Sequence, residues 1–132
     1  MTSTKRPPIP SVARYKAAFR AVDQLLNNGQ RAMLRAQYLA PDRTMTATEL
    51  AAAAGYRSYC GANLQYGKMG QLLREVLDYH EAGAASYVLS RFYPPQSVGN
   101  PEWLFVLHDK VARALNELGW FRHREDDGGS DE

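Results

Sequence analysis

The stretch from Met45 to Tyr79, MTATELAAAAGYRSYCGANLQYGKMGQLLREVLDY, decides the fold. Thr46 followed three residues later by Glu49 has the form of a capping box, in which a hydroxyl and a carboxylate satisfy amides that the first helical turn leaves unpaired. Met45 before the cap and Leu50 inside the helix are placed to form a hydrophobic staple. Ala51 to Ala54 is a strong helix-forming run, and Gly55 sits where a helix stops in a left-handed conformation. After the turn Tyr56-Arg57-Ser58-Tyr59 a longer helix is expected. Its apolar positions Leu64, Met69, Leu72, Leu73, Val76 and Leu77 recur at spacings of three and four, which predicts one buried face. Asn63, Gln65, Lys68, Gln71, Arg74 and Glu75 are then outward.

A short capped helix braced against a longer helix that displays amides and cations is the arrangement a helix-turn-helix uses to enter the major groove of DNA. A helical hairpin in any all-α domain has the same pattern. Gly61, Gly67 and Gly70 are unexpected in the second helix, since each costs about 1 kcal/mol relative to Ala. Either the helix starts later, or the missing side chains admit a close neighbour, a packed segment or a sugar-phosphate backbone.

The flanking sequence completes the pattern. Residues 1–10 hold three prolines among polar and charged residues and are expected to form a disordered basic arm. Ser11 is placed to cap a helix running to about Leu26, with Val12, Tyr15, Ala18, Phe19, Val22, Leu25 and Leu26 on one stripe. Asn27-Asn28-Gly29 should break it. A helix from about Gln30 to Leu39 buries Met33, Leu34 and Tyr38, and Pro41 to Thr44 turns into the capped helix. Ser86 to Tyr93 and Trp103 to Leu107 have the aromatic and β-branched content of strands, joined by a Pro-rich loop over residues 94–101. Asp109 should cap a last helix, Lys110 to about Leu118, that ends at Gly119, with Trp120 and Phe121 packing back on the core. The expected fold is therefore mainly α. It is a winged helix-turn-helix-like three-helix core with a flanking N-terminal helix, a two-stranded β-hairpin and a C-terminal helix, in one domain over residues 11–121.

The 132 residues suit one modest core. Net charge is +2 but unevenly spread. Residues 1–45 carry eight cations against Asp23 and Asp42, a net of +6. Residues 122–132 carry two cations against five acids, so this acidic tail, expected to be disordered, contributes −3 and leaves +5 for residues 1–121. That balance leans toward an anionic partner. Cys60 is the single cysteine, which excludes an intrachain disulfide and a cysteine-based zinc cage, fits a reducing cytoplasm, and suggests a small buried hydrophobe. No run approaches the ~20 apolar residues of a membrane span, and the N-terminus lacks a secretory pattern.

Catalytic constellations are not legible. The glycines match neither a P-loop nor a dinucleotide fingerprint, and His80-Glu81 and His108-Asp109 lack the i, i+4 spacing of a metal site. Glu75 and Asp78 beside Arg74 have the look of a surface pair. No cofactor, metal or enzymatic activity is expected. The expected interface takes Arg31, Arg35, Arg57 and Lys68 as phosphate contacts, with Ser58, Tyr59, Asn63, Gln65 and Tyr66 facing base edges of double-stranded DNA. Core packing is an equal alternative for Tyr66. The rival expectation is an adaptor or inhibitor that docks on a nuclease or other nucleoprotein through Tyr56, Tyr59, Phe92, Tyr93 or Trp103.

Two segments, TATELAAAAGYRSYCGANLQYGKMGQLL and EWLFVLHDKVARALNELGW, resemble in that order a non-catalytic helical module upstream of the nuclease domain in some bacterial restriction-type His-Asn-His (HNH) endonucleases. That module carries a Thr-Ala-x-x-Leu-Ala start, an Asn-Leu-x-Tyr-Gly-x-Leu core and a late Trp with Ala-Leu-x-x-Leu-Gly-Trp. The likeness spans residues 30 to 121 and implies a DNA-sensing or regulatory part, with a place in bacterial defence or transcription regulation. The chain departs from the family after Trp120, where an acidic tail stands and neither zinc-knuckle cysteines nor a His-Asn-His motif follows. Nuclease activity is not carried over by the resemblance.

Overall fold

Thr46 and Glu49 form the capping box that opens the central helix pair. Thr46 Oγ1 accepts from the Glu49 amide at 3.2 Å and Glu49 Oε1 accepts from the Thr46 amide at 2.9 Å. The computed structural model describes residues 9–80, 83–95 and 101–121. Most of the expected N-terminal arm, the middle of the Pro-rich connection and the acidic tail lie outside these residues.

In chain order the elements are α1 (Val12–Val22), α2 (Asn28–Leu39), β1 (Thr44–Thr46), α3 (Ala47–Ala54), α4 (Tyr59–Leu77), β2 (Ser90–Tyr93), β3 (Leu104–Leu107) and α5 (Asp109–Leu118). The protein is thus mainly helical with a small antiparallel sheet of order β1-β3-β2. Met45 and Phe92 both stand opposite Phe105 of the central strand. One apolar core draws on every helix, with Tyr15, Met33, Leu50, Tyr66, Phe105 and Val111 among its members. No helix among the described residues is long and apolar enough to cross a membrane.

Several boundaries differ from expectation for local reasons. Ser11 caps α1 as expected, but the α-helix ends at Val22 in a 3-10 turn, Asp23–Leu25, that leaves Leu25 exposed. Asn27 does not merely break that helix. Its side chain accepts from the Gln30 amide at 2.8 Å, Gln30 Oε1 accepts from the Asn27 amide at 3.0 Å, and this second capping box starts α2 at Asn28. The turn at Pro41–Arg43 holds Asp42 and Arg43 at positive φ and releases the chain into β1, a three-residue strand too short to carry a period. Gly55 ends α3 at φ +80°, as its position predicts. In α5, Asp109 is the first helical residue and His108 holds the cap position, so the aspartate acts on the helix dipole from within the first turn. Trp120 packs edge-on against Phe19 at 5.4 Å and Phe121 lies 5.9 Å from Tyr38.

The expected strand Ser86 to Tyr93 is halved. Ala85–Val88 forms a 3-10 turn lying on α4, and only Ser90–Tyr93 joins the sheet. Gly70 is the physical reason: a Cβ there would stand 2.5 Å from the Ala85 carbonyl oxygen, so only glycine lets this backbone approach. The carbonyls of the turn then find partners off the sheet. Tyr15 Oη donates to the Val88 carbonyl at 2.7 Å, and His108 Nε2 lies 2.8 Å from the Tyr87 carbonyl.

Candidate nucleic-acid interface

The stripe that α4 buries consists of Ala62, Tyr66, Met69, Gly70, Leu73 and Leu77. Leu64 lies two residues from both Ala62 and Tyr66, about half a helical turn away, and is 57% exposed. The expectation that Leu64 and Val76 belong to the buried face is thus corrected, since Val76 stands at its margin, 48% exposed. Facing solvent are two neighbouring rows at i, i+4, i+8 spacing: Tyr59, Asn63 and Gly67, then Cys60, Leu64 and Lys68. Cys60 is exposed rather than buried. No heavy atom comes within 4 Å of a Cβ placed on Gly67, so α4 is bare there.

Of the nine residues expected at an interface, five gather on this face. Arg57, Ser58, Tyr59, Asn63 and Lys68 are exposed on the α3–α4 turn and the first half of α4. Ser58 has a second task, because its Oγ accepts from the Cys60 amide at 3.2 Å and caps α4. No hydrogen bond ties Asn63 to another described residue, which leaves its amide donors and acceptor available. Arg57 and Lys68 make no ion pair with a described residue. Arg35 is exposed on α2.

Three residues expected at the interface have partners inside the molecule. Tyr66 is 1% exposed; its hydroxyl donates to Gln37 Oε1 at 2.7 Å and lies 2.5 Å from Ser90 Oγ. Burial raises its pKa well above the usual tyrosine value. Gln65 is half-buried, its Oε1 accepting from Asn27 Nδ2 at 3.3 Å and Gln30 Nε2 at 3.2 Å, so it ties α4 to the start of α2. Arg31 holds Asp23 Oδ1 at 2.5 Å and also donates to the Asp23 carbonyl, with its guanidinium 5.4 Å from the Trp120 ring centroid. A carboxylate from the turn just after α1 therefore neutralises the cation expected to meet phosphate.

Beside the exposed rows of α4 the sheet leaves an open pocket of about 510 Å³. Tyr59 and Asn63 of α4, Ala47 of α3, and Phe92, Trp103 and Phe105 of the sheet region line it, together with Pro101 and Glu102. The ring of Phe105 is held edge-on by Tyr66 at 5.1 Å and by Phe92 at 4.5 Å, so the floor is continuous with the core. Trp103 and Tyr59 remain 54% and 53% exposed. Glu102 Oε1 accepts from the Thr48 amide at 3.1 Å in the first turn of α3. Phe92, Trp103 and Tyr59 are among the aromatics that the sequence offers as anchors, whereas Ala47, Glu102 and Phe105 carry no signal outside the paired sheet.

No family model, curated protein or solved structure matches the chain.

Chemically, the face offers two cations, a serine hydroxyl, a tyrosine and an amide along a helix flank that nothing among the described residues covers. Glu75 is the nearest acid along the Tyr59, Asn63 and Gly67 row, and its carboxylate accepts from Gln71 Nε2 at 2.6 Å. Among the described residues no group of three or more His, Cys, Asp or Glu side chains is placed to hold a metal ion.

Proposed function

We propose that this protein binds double-stranded DNA through α4, as a regulator or as a part that recruits or controls another protein. The observation that carries the reading is the sidedness of α4: its buried stripe is filled by the core, while Tyr59, Asn63 and Lys68 stay exposed on other flanks and Arg57 is exposed in the turn before the helix. In this reading Arg57, Lys68 and Arg35 meet phosphates, and Asn63, Tyr59 and Ser58 face base edges. The order helix, strand, helix, helix, strand, strand from α2 to β3 supports a winged helix-turn-helix interpretation, with α4 as the reading helix and the β2–β3 hairpin as the wing. The likeness of residues 30 to 121 to the HNH-associated module points the same way.

Salt dependence tests the reading. Three phosphate contacts give a slope of log affinity against log salt of about −2.7, which is roughly a 40-fold loss between 50 and 200 mM salt. Lys68→Glu and Arg57→Glu should each flatten that slope by about 0.9 or more. Absence of duplex binding at low salt rejects the proposal.

A second reading, an adaptor that docks on a nuclease or other nucleoprotein, is favoured by the exposed apolar residues Leu64, Val76, Tyr59 and Trp103. There Leu64→Asp abolishes partner capture while charge reversal of Lys68 leaves it intact.

A further inference from the structure

We infer that the pocket beside α4 accepts a single nucleobase swung out of the DNA stack. The inference rests on the DNA reading above and gives the pocket a ligand class. Its volume of about 510 Å³ falls in the ~300–1,000 Å³ range of sites that enclose small organic ligands. Four of its lining side chains, Tyr59, Phe92, Trp103 and Phe105, are aromatic, and flat rings are the surfaces on which extruded bases stack. Asn63 supplies a paired donor and acceptor that no described residue uses, the chemistry that reads the hydrogen-bonding edge of a base. Position completes the case: Tyr59 and Asn63 belong both to the pocket and to the α4 row that faces the duplex, so a nucleotide contacted by the helix has only to rotate to reach the cavity.

Extrusion is easiest for a base that is already mispaired, which sets the experiment. Affinity at low salt is measured by fluorescence anisotropy for a short fully paired duplex and for the same duplex with one mispaired 2-aminopurine. Stacking in the pocket should make the mispaired duplex bind roughly tenfold tighter, with a change in 2-aminopurine emission on binding. Trp103→Ala, a substitution of a half-exposed side chain, should abolish the preference without altering affinity for the paired duplex. Trp103→Tyr, which keeps a flat ring, should retain part of the preference. Equal affinity for both duplexes with a steep salt slope overturns the pocket assignment while leaving the DNA reading standing. No binding to either duplex overturns both. A change in tryptophan emission on adding choline chloride that Trp103→Ala removes, with equal affinity for the two duplexes, overturns the inference by assigning the pocket to a cationic ligand.

Discussion

Gly67 and Gly70 lie three residues apart in one helix, and the structure predicts that the same substitution moves stability in opposite directions at the two sites. In the open space around Gly67 an alanine adds only its helix preference, so Gly67→Ala stabilises by about 1 kcal/mol. At Gly70 the same gain meets a wall. The new Cβ would sit 2.5 Å from the Ala85 oxygen and 2.8 Å from its carbonyl carbon, and ordinary contact begins at 3.4 Å, so the 3-10 turn must retreat by 3.4 − 2.5 = 0.9 Å. It cannot retreat freely, because Tyr15 and His108 hold the carbonyls of Val88 and Tyr87. Overpacking of this kind costs about 1–3 kcal/mol, and a clash with backbone this close belongs at about 2–3 kcal/mol, so after the helix gain of about 1 kcal/mol Gly70→Ala should destabilise by roughly 1–2 kcal/mol. At about 4 °C per kcal/mol for a domain of this size, thermal melts followed by circular dichroism should show Tm about 4 °C higher for Gly67→Ala and about 4–8 °C lower for Gly70→Ala. A Gly70→Ala protein as stable as the parent would mean that the turn does not rest on α4, and the account of the halved strand would fall with it.

Further outcomes follow from the same geometry. Gly67→Ala, although stabilising, should weaken duplex binding about fivefold if the bare flank of α4 admits a sugar-phosphate backbone, a loss worth about 1 kcal/mol in an equilibrium titration. Tyr66→Phe strips Gln37 Oε1 and the Ser90 hydroxyl of a partner and should lower stability by about 2 kcal/mol in urea melts, with duplex affinity unchanged. Burial raises the pKa values of Tyr15 and Tyr66 from 10.0 in the ordinary group. The unfolded chain therefore loses these protons first as pH rises, and stability, complete below about pH 10, should decline above it by up to about 1.4 kcal/mol per pH unit for each tyrosine; Tyr66→Phe should remove one share of that slope. Arg31→Ala should cost about 1 kcal/mol of stability by ending the Asp23 pair and the contact with Trp120, and the salt slope of DNA binding should not change.

What the chain discloses in advance is what is settled within a few residues of itself. The Thr46–Glu49 box and the left-handed Gly55 are decided by neighbours in sequence, and both form. The failures have long-range causes. Ala85–Val88 carries strand-forming residues, but partners 73 residues away at Tyr15 and 21 residues away at His108 claim its carbonyls. Leu64 and Val76 misled because the true stripe of α4 passes through Ala62 and Gly70, small residues that lend a helical period almost no apolar weight. Among the candidate site residues, the exposure of Asn63 and Lys68 on α4 and of Arg57 in the turn before it is legible in the sequence. Arg31 is not, since its acid stands in the turn after α1, and the pocket is not, since Ala47, Phe92 and Phe105 meet only once the sheet has paired.

The buried triangle of Gln37, Tyr66 and Ser90 has a mechanical meaning. Gln37 Nε2 donates to Ser90 Oγ and to the Phe105 carbonyl, each at 3.1 Å, so a single cluster pins the end of α2, the middle of α4 and two adjacent strands. A load applied to the outer flank of α4 is passed directly to the hairpin, and the two tilt as one body. Outer side chains can therefore be exchanged while the angle at which the helix is presented stays constant.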